Sequence, residues 1–178
     1  MKMKNFRISS IECWNTDNME RLHKIYAHPL WKLHMDQLRE AEKERIFCKH
    51  GIEHLLDVAR IAYIENLEEN RHVAKELIYA AALLHDIGRY AQYSQGISHE
   101  TAGVEIASEI LKDCEFKREE QDQIFAAIAD HRNGETKRDE SLAGLINRAD
   151  KKSRMCGFCM ASSQCNWNET KKNYVIKV

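Results

Sequence analysis

Apolar residues recur along most of this chain at the three- and four-residue spacing of amphipathic helices. A single proline, seven glycines and few β-branched runs favour helix over strand. The pattern therefore predicts an all-α fold, a single-domain helical bundle. The predicted helical regions are about 17–45 with an interruption at Pro29, 50–68, 72–93, a region beginning after Ser98, 116–132 and 139–154. Asp17 and Glu20 have capping-box spacing at the start of the first region.

Length and charge narrow the range of partners. The chain has 178 residues, the size of one domain, and its 27 lysines and arginines nearly balance 28 aspartates and glutamates. The overall field therefore offers no general attraction for a nucleic-acid polymer or an anionic membrane. The sequence has neither an apolar leader nor an apolar run of membrane length. We expect a cytoplasmic protein with only local phosphate affinity, and a homo-oligomer stays open.

Histidines and aspartates lie on the inward faces of five of these regions, where polar side chains are unusual. His54, for example, precedes Val58 and Ile61 by four and seven residues. Asp86 follows an apolar run deep in the third predicted helix, where an unpaired carboxylate is costly. Any one histidine could be a core residue bonded to a carbonyl, but a shared metal centre explains the whole set. The candidates are His54, His85, Asp86, His99, His131 and Asp150.

An ordered motif gives this centre a family resemblance. His54 is followed about thirty residues later by Leu84-His85-Asp86-Ile87-Gly88, and then by Ala149-Asp150. Over about residues 48–154 the chain resembles the HD-domain metal-dependent phosphohydrolase superfamily. The resemblance implies an HD-type helical bundle in one domain, 1–178, with an N-terminal helical region at 1–47 and an irregular, cysteine-containing tail at 155–178.

The resemblance also implies a metal and its ligands. His54, His85, Asp86 and Asp150 would hold one divalent transition-metal ion, and His99 and His131 would join Asp86 around a second. Mixed nitrogen and oxygen donors suit Fe, Mn, Co, Ni or Zn. The implied activity is hydrolysis of a phosphomonoester or phosphodiester, nucleotide-like in character, by metal-bound hydroxide. Asp86 and Asp150 would be the catalytic carboxylates.

Basic residues beside these ligands are candidates for holding a small phosphorylated substrate. Arg89 and Lys151 lead, with Arg132 behind them, although a basic residue at a helix end often only complements the helix dipole. Arg89 stands where many members of the resembled family have lysine. The lack of a downstream Gly-Tyr-Pro speaks against the cyclic-dinucleotide phosphodiesterase branch.

Two other functions stay open beside phosphohydrolase. The resembled family includes di-iron oxygenases, which use four histidines and two aspartates and would consume oxygen. The second alternative is a non-catalytic regulatory domain that binds a nucleotide. Such a domain does not need the complete ligand set that this chain retains, which makes it the weaker interpretation.

Two further groups lie outside the predicted centre. His50 shares a helical strip with His54, yet its position at a helix start favours a substrate-mouth or capping role. Cys156-x-x-Cys159 with Cys165 has the spacing of part of a four-cysteine zinc or iron–sulfur site, for which Cys48 could supply the fourth ligand. The alternative is a set of reduced thiols packed in the tail.

Overall fold

The computed structural model describes residues 19–177, and every regular element within that range is helical. The predicted all-α fold is therefore confirmed. None of the described helices is both long and apolar enough to cross a membrane. The α-helices are α1 (Glu20–Ala27), α2 (Pro29–Ala41), α3 (Ile52–Glu68), α4 (Lys75–Leu84), α5 (Arg89–Gln95), α6 (His99–Asp113), α7 (Arg118–Asp130) and α8 (Leu142–Lys152). Short 3-10 turns lie at Thr136–Arg138, Cys156–Phe158 and Ser162–Gln164.

Helix α4 lies at the centre of the bundle and packs against α1, α3, α7 and α8. Three consecutive alanines of α4, at positions 80–82, are fully buried, and their small side chains let the neighbouring helices approach closely. Larger apolar side chains fill the remaining space, among them Leu55 of α3 and Ile128 of α7. The C-terminal end of α4 is therefore held in place from several sides.

Two helix boundaries fall where the sequence predicts them. Pro29 occupies the first position of α2 and the preceding His28 is extended, so the chain breaks between α1 and α2. Ser98 caps α6 by accepting a hydrogen bond from the amide of Thr101. This cap makes His99 the first residue of a helix that packs on α7. Asp17, from the predicted capping box, lies outside the described residues.

The third predicted helix is wrong in one respect, because the structure divides it into α4 and α5. Residues 85–88 form a turn between them. The turn brings Gly88 so close to α6 that a β-carbon there would overlap the carbonyl oxygen of His99 and lie 2.5 Å from the amide nitrogen of Gly103. Asp86 therefore lies just past a helix end, and the apolar run through this segment concealed the break.

The tail after α8 is irregular, as predicted. Beyond two 3-10 turns it has no regular element up to residue 177. The side-chain amide of Asn173 donates hydrogen bonds to the backbone carbonyls of Lys151 and Arg154. These bonds fasten the tail against the end of α8.

Gly88→Ala should lower the melting temperature, because the added methyl group overlaps backbone atoms of α6 that cannot rotate away. Overpacking of this kind costs about 1–3 kcal/mol. Gly134→Ala is the matched control, since nothing lies within 4 Å of the position that its β-carbon would take. Thermal unfolding followed by circular dichroism measures both variants, and equal melting temperatures would contradict the close approach of Gly88 to α6.

Candidate metal centre

Four candidate ligands converge where three helices begin or end. His54 lies in the first turn of α3, His85 and Asp86 follow the last residue of α4, and Asp150 lies near the end of α8. Their ligand atoms all lie within 4.8 Å of one another. Nε2 of His54 and Nε2 of His85 are 3.5 and 3.2 Å from Oδ2 of Asp86. This group has the size and the donor atoms of a site for one metal ion.

A second group shares Asp86 with the first. His99 begins α6 and His131 follows the end of α7, and the Nε2 atom of each lies 3.6 Å from Oδ1 of Asp86. These two Nε2 atoms are 3.1 Å apart. One carboxylate oxygen thus faces each group, which is the arrangement of a carboxylate that bridges two ions. The structure brings together all six residues that the sequence pattern singled out.

Hydrogen bonds at Nδ1 aim three of the histidines at Asp86. Nδ1 of His85 donates to the carbonyl oxygen of Ala82 at 2.8 Å, and His131 repeats this bond at 2.7 Å with the carbonyl three residues before it. Nδ1 of His99 donates to a glutamine side-chain oxygen at 2.6 Å. With the proton on Nδ1, Nε2 presents its lone pair to the centre, and this is the form in which imidazole binds a metal.

The polar atoms at the centre fit a divalent transition metal. Nε2 of His85 and Oδ2 of Asp86 are buried, and neither has a hydrogen-bond partner among the described residues. Unpaired polar atoms at this depth are costly, and a cation bound between them would satisfy both. Four imidazoles with two carboxylates suit a transition metal better than calcium, which prefers oxygen ligands alone.

The surroundings hold the ligands in metal-binding protonation states. Burial opposes ionisation of Asp86, but the neighbouring histidines, above all His85, outweigh it and hold the pKa of Asp86 well below its usual range. Burial likewise opposes ionisation of Asp150, and the contact with His54 contributes most to keeping the pKa of Asp150 low. Burial lowers the pKa of His99, so this imidazole is neutral near pH 7.

Both predicted substrate-binding residues border the centre. Nε of Arg89 donates to Oδ1 of Asp86 at 2.8 Å, and Nζ of Lys151 donates to Oδ2 of Asp150 at 3.0 Å. Arg132 is half exposed and pairs instead with a glutamate of α6. A positive charge therefore lies beside each of the two carboxylates.

Arg154 is a third basic residue at the centre, and the sequence analysis missed it. It is only 8% exposed, and its Nη2 donates to Nε2 of His54 at 2.9 Å and to Oδ1 of Asp150 at 3.2 Å. Its Nη1 donates to the carbonyl oxygen of Lys49 at 3.2 Å. The spacing of four residues from Asp150 was the available signal, because residues four apart share a helix face.

His50 lies in the wall of the centre and does not cap α3, whose cap position is Gly51, so the capping alternative is wrong. Glu42 accepts hydrogen bonds from the amide and Nδ1 of His50, at 2.7 and 2.5 Å, and from the hydroxyl of Tyr93 at 2.7 Å. Nε2 of His50 therefore faces the centre, 4.0 Å from Oδ2 of Asp86. Glu42 follows α2 and Tyr93 lies in α5, so no local sequence signal linked either to the centre.

Comparison with known proteins identifies the family. The HD domain model matches residues 51–155, more than half of the chain, so the chain belongs to the HD domain family. An uncharacterized protein from Clostridium beijerinckii is 42% identical over 158 residues, which cover 89% of this chain and 99% of that protein. Family membership and the paired ligand groups together indicate a metal-dependent hydrolase.

Two further similarities are more distant. Ribonuclease Y from Acetivibrio thermocellus is 29% identical over 142 residues, which cover 78% of this chain but only 25% of that protein. The crystal structure of a predicted HD superfamily hydrolase from an uncultured Thermotogales bacterium has a TM-score of 0.58 at 24% identity, and the match covers 84% of this chain and 86% of that one. The structural match confirms the HD-type fold.

Metal stoichiometry tests the shared carboxylate. Relative to the wild type, Asp86→Ala should lose every ion bound by the two groups, because this residue belongs to both. His99→Ala and His131→Ala should each lose only the ion of the second group. Elemental analysis of anaerobically purified protein measures the loss, and His23→Ala, on an exposed face of α1, is the control. Unchanged metal content in Asp86→Ala would show that the two groups do not bind metal through Asp86.

Glu42 should make a pH-dependent contribution to stability. Burial opposes its ionisation, but hydrogen bonds from His50 and Tyr93 outweigh burial and lower the pKa of Glu42 to about 2. A folded-state pKa below the unfolded value contributes stability above the unfolded pKa, and this contribution is lost as the pH falls towards the folded pKa.

Glu42→Gln should therefore destabilise the metal-free protein by about 2 kcal/mol at neutral pH, the usual range for hydrogen bonds to a charged group. The difference in the free energy of unfolding between wild type and variant should shrink as the pH falls from about 5 towards 2. Urea unfolding across this pH range measures the difference. A difference that is constant with pH would show that Glu42 is not ionised in the fold.

Proposed function

We propose that this protein is a metal-dependent phosphohydrolase that cleaves a small phosphomonoester or phosphodiester of nucleotide-like character. The observation that carries the proposal is one buried carboxylate, Asp86, which faces two ligand groups bordered by Arg89 and Lys151. Cations at the edge of a metal centre suit a phosphoryl group, whose negative charge must be balanced as attack develops. Membership of the HD domain family supports the same class of reaction.

The six residues would hold one or two divalent ions of Fe, Mn, Co, Ni or Zn. Bound there, a metal would supply hydroxide near neutral pH and draw charge from the phosphoryl oxygens. Asp86 and Asp150 are the proposed catalytic carboxylates, because both stay ionised despite burial and so keep their charge for the ions. The first ion would lie among His54, His85, Asp86 and Asp150, and it would replace Arg154 at the Nε2 lone pair of His54. The second would lie among Asp86, His99 and His131.

The basic residues would bind and orient the phosphate. Arg89 has N–H groups beyond the one that contacts Asp86, and Lys151 has three ammonium protons to share among acceptors. Each can therefore hold its carboxylate and a phosphate oxygen together. Arg154 is almost wholly buried against Asp150, which suits it to support this ligand rather than to meet the substrate.

Glu42 and His50 form a wall of the site and would provide a hydrogen-bond acceptor beside the metal centre. Glu42 holds the Nδ1 proton of His50, so Nε2 is left as an acceptor that faces the centre. It would accept a hydrogen bond from water or from a substrate hydroxyl held at Asp86, which is 4.0 Å away. The hydroxyl of Tyr93 donates to Oε1 of Glu42, the same oxygen that accepts from Nδ1 of His50.

An open surface cavity of about 410 Å³ lies on the far side of this wall, against Glu42 and Tyr93, and the leaving group would have to pass the wall to reach it. Its lining includes Glu42, Arg45, Phe47 and Tyr93. The guanidinium of Arg45 lies 5.7 Å from the ring of Phe47. This cation covers one face of the ring, so a nucleotide-like substrate is supported here only by the presence of aromatic and basic side chains in one cavity.

The di-iron oxygenase remains the second candidate, because four histidines and two aspartates around a shared carboxylate also suit a pair of iron ions. The nucleotide-binding regulatory domain is less well supported, since the ligand set is complete. In the proposed setting the protein acts in the cytoplasm on a small molecule, away from membranes and nucleic-acid polymers.

A phosphate-release screen tests the proposal. Protein purified anaerobically and loaded with each candidate metal should release phosphate or a nucleotide from at least one nucleoside phosphate or dinucleotide, without oxygen uptake. Arg89→Gln should raise KM about tenfold through loss of a charged hydrogen bond, whereas Arg132→Gln, its exposed control, should not.

Each alternative has its own signature in this screen. Oxygen uptake without phosphate release would favour the oxygenase. Cleavage of an oligonucleotide but of no small substrate would contradict the small-molecule assignment. Binding of nucleotides with no turnover under any metal would favour the regulatory domain. Activity that survives in Asp86→Ala would separate the reaction from the metal centre.

A further inference from the structure

The tail at 155–177 has little apolar core of its own. Its regular structure is limited to two 3-10 turns. Cys156 and Ala161 are buried, whereas Phe158 and Met160 are 82% and 98% exposed. A segment with so small a core usually needs a cross-link to hold one conformation. The cysteines that the structure describes are all free, so no disulfide among them provides it.

Cys48 lies between α2 and α3, and three cysteines of the tail are among its electrostatic neighbours. Burial raises the pKa of the Cys48 thiol, and the charge of Arg154 lowers it. Its other electrostatic neighbours are the thiols of Cys159, Cys156 and Cys165. Charges act on one another in this way only over short distances. The hydrogen bond from Arg154 to the carbonyl of the residue after Cys48 joins the same two segments.

Tight turns present the tail cysteines. The amide of Cys159 donates to the carbonyl of Cys156 at 3.3 Å, and the amide of Cys165 donates to the carbonyl of Ser162 at 3.3 Å. A Cys-x-x-Cys turn of this kind is the common half-site for tetrahedral zinc. Such a half-site needs two further ligands, and Cys165 and Cys48 are the cysteines nearest to it among the described residues.

We propose that Cys48, Cys156, Cys159 and Cys165 bind one structural zinc ion as a tetrahedral thiolate site. Among the described residues the four sulfurs are more widely spread than the ligand atoms of the metal centre, which lie within 4.8 Å of one another. Zinc, with Zn–S bonds of about 2.3 Å, would require the four sulfurs to move closer together. The site shares no residue with the metal centre and does not rest on the proposed function.

Arg154 connects this zinc site with the metal centre. Its Nη1 holds the carbonyl of Lys49, next to Cys48, while its Nη2 holds Asp150 and His54. A zinc ion that joins Cys48 to the tail would therefore hold Arg154 close to Lys49.

The test uses full-length Asp86→Ala, because this background lacks the ions of the metal centre. It should retain about one zinc ion per chain, released when the thiols are modified. Adding Cys159→Ser or Cys48→Ser should remove that ion and lower the melting temperature. Cys114→Ser is the matched control, since Cys114 is buried at the end of α6, beside Lys24 and away from the tail.

The outcomes separate the alternatives. Zinc content that is unchanged by Cys159→Ser and Cys48→Ser, or reduced equally by Cys114→Ser, would overturn the proposal. Iron with labile sulfide in place of zinc would also overturn it and assign an iron–sulfur cluster. If the serine variants do not fold, titration of metal-free Asp86→Ala with cobalt decides, because four thiolates give intense sulfur-to-cobalt absorption. Absence of those bands would leave four reduced thiols and no metal site.

Discussion

The carboxylate of Asp86, which is 1% exposed, is the constraint on which the rest of the structure depends. A charge at this depth is tolerated only when surrounding groups compensate for the water it has lost. The compensation here comes from five helices whose ends meet at one point. Helices α3, α6 and α8 each carry a residue of the centre, and α4 and α7 are each followed at once by one or two. The bundle is therefore organised around a polar point that its apolar core encloses.

Contacts between helix ends keep this point rigid. Nζ of Lys151 donates to the carbonyl oxygen of His131 at 2.5 Å, and the side-chain amide of Asn147 donates to the carbonyls of Asp130 and Asn133. These bonds join α8 to the end of α7, where backbone carbonyls would otherwise be unpaired. The same bonds that complete a helix end thus hold a candidate ligand in place.

Much of this arrangement could be predicted from the sequence. Helical spacing identified the bundle, and the inward strips identified His54, His99 and Asp150, because burial of a polar residue leaves a periodic signal. The turn after α4 left no such signal. Apolar residues continue through Ile87, and only the approach of Gly88 to α6 requires the chain to bend there.

The parts that could not be predicted depend on contacts between distant segments. Glu42 belongs to a charged helix end and reads as a surface residue, yet it is 3% exposed because His50 and Tyr93 close over it. Arg154 is a basic residue of the kind common at helix ends. It is buried because Asp150 and the carbonyl of Lys49 accept hydrogen bonds from it. Sequence periodicity reports which face is apolar, but it does not report which polar groups meet across the core.

Glu42 and His50 lie in a part of the chain that differs from the rest of the site in its relation to the HD domain. Both residues precede residue 51, where the match to the HD domain begins, whereas all six candidate ligands lie within the matched range. Glu42 and His50 thus add a segment from before the matched range to the wall of the site, and the adjoining cavity is lined largely by that same segment. Substitutions at residues 41–50 would therefore reshape the cavity and this part of the wall without replacing any candidate ligand.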